Sequence, residues 1–108
     1  MKAILVGTDH DLEAALDGQG VETVAIDGAA TRDSLLAAGV ESADVLIVTD
    51  VGESTAIPIA REANPDVRIV VYSPESMPEF VRGQVDLAVA PGVLEPDVVA
   101  EELAGAGA

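Results

Sequence analysis

The sequence contains no cysteine, which excludes a disulfide framework, a thiol nucleophile and a thiolate metal site. It contains no tryptophan, one tyrosine and one phenylalanine, so it offers no aromatic platform for stacking bases. No uncharged apolar run approaches the roughly 18 residues that a membrane span needs, and the amino terminus does not resemble a signal peptide. We therefore expect a cytoplasmic protein with no membrane partner.

Basic residues are scarce. Lys2 and four arginines face 20 acidic residues, and the formal net charge of the 108 residues is −15. The phosphate backbone of a nucleic acid would be repelled by this charge, so a nucleic-acid partner is not expected. The surplus of negative charge also makes the acidic groups of the domain repel one another in dilute buffer. In about 1 M salt the screening length falls to roughly 3 Å, and this repulsion largely disappears. The composition therefore resembles that of halophilic archaeal proteins, in which acidic groups serve solvation.

Apolar residues make up 49% of the chain, which suffices for an ordinary core and argues against disorder. Strand-like and helix-like segments alternate along it, joined by short links. This alternation predicts an α/β doubly wound three-layer sandwich, with a five-stranded parallel sheet in the order 2-1-3-4-5. We expect a single domain over residues 1–103 and a flexible tail at 104–108. The predicted strands are 2–6, 21–26, 44–49, 67–72 and 87–90, and the predicted helices are 9–19, 31–38, 55–63, 76–84 and 96–103.

Several helix ends have sequence signals. Thr31 is a predicted N-cap, and Pro58 fits about the third position of a helix that is capped near Thr55. The stretch from Ser76 to Glu79 has the spacing of a capping box, which would open the fourth helix.

Residues 35–53, LLAAGVESADVLIVTDVGE, carry a family resemblance. A helix ending in Ala-Gly-Val, a link with Ala-Asp, an apolar strand and then Thr49-Asp50 resemble the nucleotide-binding TrkA-N domain, the N-terminal Rossmann-type domain of RCK regulators of potassium transport. The resemblance implies a Rossmann-like, non-catalytic nucleotide-sensing or protein-interaction module. It also implies an adenine nucleotide as ligand and pairing as a homodimer.

The same resemblance suggests which residues would contact the nucleotide. TrkA-N domains open with G-x-G-x-x-G, whereas this chain keeps only the first glycine and has Asp9 in place of the second. By analogy, Gly7, Thr8 and Asp9 would line the phosphates. Asp27 would bind the ribose, and Thr49 and Asp50 would lie at the switch point of the sheet. A carboxylate at position 9 would face the phosphates.

The charge of the loops that follow the strands opposes a bare phosphate. These loops contain nine acidic residues, and the one possible cation among them is His10. Each unit-charge repulsion at about 4 Å amounts to roughly 1–4 kcal/mol, whereas a helix N-terminus contributes about 0.3–1 kcal/mol. A nucleotide would therefore need a divalent cation such as magnesium, and Asp9 and Asp50 are the candidate metal ligands.

The two acids also allow a different interpretation. Asp9 after the first strand and Asp50 after the third resemble the acidic pocket of response-regulator receiver domains. Asp50 would then accept a phosphoryl group, Asp9 would bind magnesium, and Ser73 would contact the phosphoryl oxygens. Receivers also need a lysine before the proline that ends the fifth strand, and here Ala90 precedes Pro91. A purely structural subunit is a third alternative.

Local structural roles explain the same residues without any ligand. Asp9 or Asp11 could cap the first helix, since acids are favourable in a first turn. Thr49 could serve turn geometry alone, and His10 could be an exposed loop residue. The sequence leaves these alternatives open.

Overall fold

A computed structural model of the protein describes residues 1–9, 11–26 and 29–106. Within them, five parallel strands form one sheet in the order β2-β1-β3-β4-β5, as the alternation of segments predicted. The strands are β1 (Lys2–Val6), β2 (Glu22–Ile26), β3 (Val45–Val48), β4 (Arg68–Tyr72) and β5 (Leu87–Val89). The helices are α1 (Leu12–Gly18), α2 (Arg32–Ala37), α3 (Ala56–Ala63), α4 (Glu79–Arg82) and α5 (Pro96–Ala106), with 3₁₀ turns at Val40–Ser42 and Val51–Glu53.

The three central strands, β1, β3 and β4, are almost continuous apolar runs because they are covered on both faces. Alternate residues of β1 enter different cores: Ile4 and Val6 pack in the layer of α2, α3 and α4. Ala3 and Leu5 pack in the layer of α1 and α5. The predicted three-layer sandwich is therefore confirmed.

The order of the strands in the sheet reverses at β1, which lies between β2 and β3. Val6 pairs with Ile26 of β2 on one side and with Val48 of β3 on the other. The loops that leave β1 and β3 consequently lie side by side at the carboxyl edge, where open α/β sheets bind ligands.

Two of the predicted helix ends are confirmed and one is wrong. Thr31 caps α2, and its reciprocal partner is Ser34. Pro58 is the third residue of α3. The capping box at Ser76 does not form, because Pro78 takes the N-cap position and Met77 turns into the core. Helix α4 is therefore a single turn of four residues, and α5 continues to Ala106, past its predicted end.

Arg61 joins three elements at the opposite, amino edge of the sheet. Its Nη1 donates to the carbonyl oxygens of Pro65 and Val67, at 3.1 and 2.8 Å. Its Nη2 donates to the carbonyl of Gln84 and to Oδ2 of Asp86, at 2.9 and 3.1 Å. The planar guanidinium fork thus ties α3 to the starts of β4 and β5. None of the helices in the described ranges is long and apolar enough to cross a membrane.

Candidate functional site

The candidate site begins at Gly7, where β1 ends. Gly7 has φ +104°, a conformation that residues with a Cβ rarely adopt. A Cβ at this position would lie 2.5 Å from Oγ1 of Thr49 and 3.0 Å from the backbone nitrogen of Asp50. The loops that leave β1 and β3 therefore approach too closely to admit a side chain between them.

Thr49 holds these two loops together. Its side chain is buried, and Oγ1 lies 2.6 Å from the carbonyl oxygen of Thr8, to which it donates, and 3.3 Å from that of Val6. The backbone N–H of Thr49 also donates to Val6. The hydroxyl that the TrkA-N resemblance assigned to a ligand is thus engaged in joining the ends of β1 and β3.

Asp9 caps the first helix. Its exposed side chain accepts a hydrogen bond at Oδ1 from the backbone N–H of Glu13, at 2.9 Å. Asp11 occupies the N-cap position itself in the left-handed region, with φ 64° and no side-chain capping bond. Of the two acids that the sequence suggested as caps, Asp9 is the one whose carboxylate accepts a hydrogen bond from the helix.

Asp50 follows β3 and is exposed. Its Oδ1 accepts from the backbone N–H of Gly52 at 2.9 Å, which starts the 3₁₀ turn. Glu53, at the end of that turn, accepts at Oε2 from the N–H of Ala30, also at 2.9 Å. This second bond closes the loop after β3 onto the loop after β2. Sequence reasoning missed it, because the partners lie 23 positions apart and no local pattern marks them.

Ser73 is buried at the end of β4, and its Oγ accepts from the N–H of Glu75 at 3.1 Å. Beside it lies an open cleft of about 480 Å³, which also contacts Ala90. Arg82 reaches this cleft from α4, with Nε donating to the carbonyl of Met77 at 2.9 Å. The sequence offered His10 as the one possible cation within the loops, and Arg82 adds a basic group beside them from a helix.

Two of the predicted roles cannot be placed, because His10 and Asp27 lie outside the described residues. In the ranges that the structure covers, no group of three or more His, Cys, Asp or Glu side chains could hold a metal ion. A magnesium site on the pair Asp9 and Asp50 stays a prediction.

One family comparison covers nearly the whole chain. The model of a family of unknown function, DUF7126, matches residues 3–103. The chain belongs to this family. No curated protein matches the sequence.

Solved structures identify the fold. An orphan response regulator of H. pylori, HP1043, superposes with a TM-score of 0.74 at 13% identity, covering 97% of this chain and 94% of that one. A putative pilus assembly protein, CpaE, of Burkholderia thailandensis gives 0.69 at 16%, covering 99% and 98%. A CheY-like protein, TadZ, of Pseudomonas aeruginosa gives 0.66 at 20%, covering 97% and 94%. At these identities the likeness shows the fold, which is that of CheY-like receivers.

The TrkA-N identification is therefore wrong, and with it the nucleotide-sensing module and the Rossmann-like label. The residues that carried the resemblance have local roles: Gly39 ends α2 with φ 88°, and Asp50 caps a turn. A glycine that ends a helix and an acid that caps the turn after a strand are common wherever a helix leads into a buried strand. The adenine nucleotide and the contacts assigned to Gly7, Thr8, Asp9, Asp27, Thr49 and Asp50 had no other basis.

Proposed function

We propose that this member of the DUF7126 family is a receiver-type domain that regulates by binding a partner protein, with no phosphoryl transfer at Asp50. The observation that carries the proposal is the end of β1, where Gly7 leaves no space for a side chain next to Asp50. Asp9, the first acid after Gly7 along the chain, already accepts a hydrogen bond from a helix N–H. This arrangement favours a capping role for Asp9 over the role of magnesium ligand that the sequence predicted for it.

Charge supports the same conclusion. A phosphoryl group on Asp50 would replace the single negative charge of its carboxylate by the roughly two of an acyl phosphate, at an edge of the sheet whose loops also carry Asp9, Asp11 and Glu53. Each close pair would oppose it by roughly 1–4 kcal/mol. Receivers offset this with a lysine, whose place is taken here by Ala90. The domain therefore lacks the main electrostatic stabiliser of phosphoryl transfer.

Magnesium-dependent phosphorylation of Asp50 is the second candidate function. It is favoured by two side chains: the exposed Asp50 carboxylate directly follows β3, and the buried Ser73 hydroxyl follows the neighbouring β4. These are the places where a receiver has its phosphoacceptor and its hydroxyl.

Thermal melts with magnesium and beryllofluoride separate the two candidates, because beryllofluoride mimics a phosphoryl group on a carboxylate. We expect no change in melting temperature for the parent or for Asp50→Asn. A magnesium-dependent rise in the parent that Asp50→Asn loses would establish the phosphoacceptor instead. A rise that survives in Asp50→Asn would place the anion elsewhere.

Three expectations from the sequence also enter this proposal. The domain covers the predicted residues 1–103 together with the last turn of α5, which ends at Ala106. It is located in the cytoplasm, and it pairs as a homodimer, which sedimentation at several protein concentrations tests. Adaptation to high salt and archaeal origin stay predictions from composition.

A further inference from the structure

The sheet ends on one side at β2, and among the described residues no further strand pairs with its outer edge. Glu22 donates its backbone N–H to the carbonyl oxygen of Met1, at 3.0 Å. Alternate residues of a parallel strand bond to the same neighbour, so the backbone groups of Val24 also face β1. Those of Thr23 and Ala25 therefore point away from the sheet. An unpaired edge of this kind is a template for an additional strand.

A groove of about 540 Å³ lies between this edge and α1. Asp9, Glu13 and Asp17 line it, and their spacing of four residues places them along one side of the helix. All three are exposed, and none of them forms an ion pair within the described ranges. The sequence has no lysine or arginine between Lys2 and Arg32. The helical wall of the groove is therefore negative, with no such residue of its own to neutralise it.

Thr23 belongs both to the edge and to the groove. It lies on the face of β2 toward α1, since it is in register with Ala3, which packs in the core of α1 and α5. Its Oγ1 is buried but has no hydrogen-bond partner in the part of the chain that the structure describes. A buried hydroxyl without a partner is uncommon in a complete structure. A strand added beside β2 would bring backbone polar groups next to Thr23.

Two apolar side chains lie on the opposite face of β2. Val24 and Ile26 are in register with Ile4 and Val6, which pack in the core of α2, α3 and α4. Both are partly exposed. Since successive side chains of a strand point to opposite faces, a matching strand has basic residues toward α1 and apolar residues toward Val24 and Ile26. A second copy of the chain would instead bring its net charge of −15 to the acidic groove.

We propose that the edge of β2 binds an extended segment of a partner protein, which pairs with Thr23 and Ala25 as a sixth strand and has lysine or arginine at alternate positions. The basic side chains would meet complementary charge on Asp9, Glu13 and Asp17. In strand addition, backbone hydrogen bonds supply affinity and the alternating side chains supply specificity. This inference rests on the proposed function, since it names the surface and the chemistry of the partner.

Short labelled peptides test the inference by fluorescence anisotropy. One peptide alternates lysine with valine, a second has glutamate for every lysine, and a third keeps the lysines but has methyl groups on its backbone nitrogens. The third peptide retains the charge and loses the donors that a strand needs. We expect the first to bind more tightly than the other two, and to weaken as salt is added. If the glutamate or the methylated peptide binds as tightly as the first, or if the first does not bind, the proposal is wrong.

Two matched pairs of substitutions locate the binding surface. Glu13→Gln with Asp17→Asn removes two charges from the groove, and Glu101→Gln with Glu102→Gln removes two from exposed positions of α5. We expect the groove pair to weaken the lysine peptide by about fivefold or more, and the α5 pair by less than about twofold. Circular dichroism melts check that both variants fold. Equal weakening would mean that net charge alone attracts the peptide, and would overturn the groove as its site.

Amide hydrogen exchange, followed by NMR, locates the added strand without any substitution. In the free protein the N–H of Val24 should be protected by its bond to β1, and those of Thr23 and Ala25 should exchange quickly. We expect the lysine peptide to slow exchange at Thr23 and Ala25 by about tenfold or more. Unchanged exchange at both residues in the peptide complex would exclude strand addition at β2.

Failure of these tests overturns the β2 edge as the binding surface but leaves the receiver-type function standing. Protection of the Thr23 and Ala25 amides that appears without peptide and grows with protein concentration would replace the partner strand by a second copy. A magnesium-dependent response to beryllofluoride that Asp50→Asn loses would instead contradict the proposed function, whatever the peptides do.

Discussion

Replacing Gly7 by alanine probes the close approach of β1 and β3 on which the site interpretation depends. Two effects add in Gly7→Ala. A Cβ at positive φ is disfavoured by about 1–2 kcal/mol. The new methyl would also lie 2.5 Å from Oγ1 of Thr49. Moving that hydroxyl away breaks its bond to Thr8, which is worth about 0.5–1.5 kcal/mol. We therefore expect a loss of about 2–3 kcal/mol in the free energy of unfolding.

Urea denaturation measures this loss as a fall of about 1–2 M in the midpoint at unchanged slope. Two glycines serve as controls. Gly20 has φ +77° but no atom within 4 Å of its added Cβ, so Gly20→Ala reports the backbone strain alone, about 1–2 kcal/mol. Gly83 lies in right-handed helical conformation with open space around it, so Gly83→Ala should change stability by less than about 0.5 kcal/mol. If Gly7→Ala is no more damaging than Gly20→Ala, the close approach to Thr49 is refuted.

Three further predictions concern the net charge, the hydrogen bonds of Arg61 and the pKa of Tyr72. The melting temperature should rise with added KCl, because salt screens the repulsion within a domain of net charge −15; a flat response would contradict this. Arg61→Lys should lower the free energy of unfolding by about 2–3 kcal/mol, because an ammonium cannot serve the four acceptors of the guanidinium. Arg32→Lys is the control, because Arg32 is exposed and lies 3.5 Å from Glu62 in a surface ion pair; it should lower the free energy of unfolding by less than about 0.5 kcal/mol. Equal losses in the two variants would refute the role assigned to Arg61. Burial, and after it the carboxylates of Glu95 and Asp11, raises the pKa of Tyr72 above its ordinary 10.0. The folded state thus favours the protonated phenol, and this contribution to stability is complete below pH 10 and lost as the pH rises through the folded pKa. The alkaline loss of stability should therefore be smaller in Tyr72→Phe, and an unchanged loss would contradict the assignment.

The fold could be predicted from the sequence because its signals are local and repeated. Each strand is an apolar run followed by turn or capping residues, and the runs alternate with helical periodicity at spacings that only parallel βαβ units satisfy. The error at α4 has a physical cause. The spacing from Ser76 to Glu79 satisfies a capping box, but burial of Met77 and the fixed φ of Pro78 place the start of the helix later.

The site could be predicted only in part. The ends of β1 and β3 were expected to meet, and they do. Whether Asp9 caps a helix or faces a ligand is not encoded locally, since the same residue type suits both roles. The bonds from Thr49 to Thr8 and from Ala30 to Glu53 join residues 41 and 23 positions apart. The TrkA-N resemblance covered features that receiver folds also contain, so a motif from one helix–strand unit could not separate the two folds.

Intact-mass spectrometry after incubation with acetyl phosphate and magnesium tests the central claim most directly. The account predicts that neither the parent protein nor Asp50→Asn gains a phosphoryl group, because Ala90 supplies no cation and Gly7 leaves no space for a metal-binding side chain. A phosphoryl adduct on the parent that is absent from Asp50→Asn would contradict it.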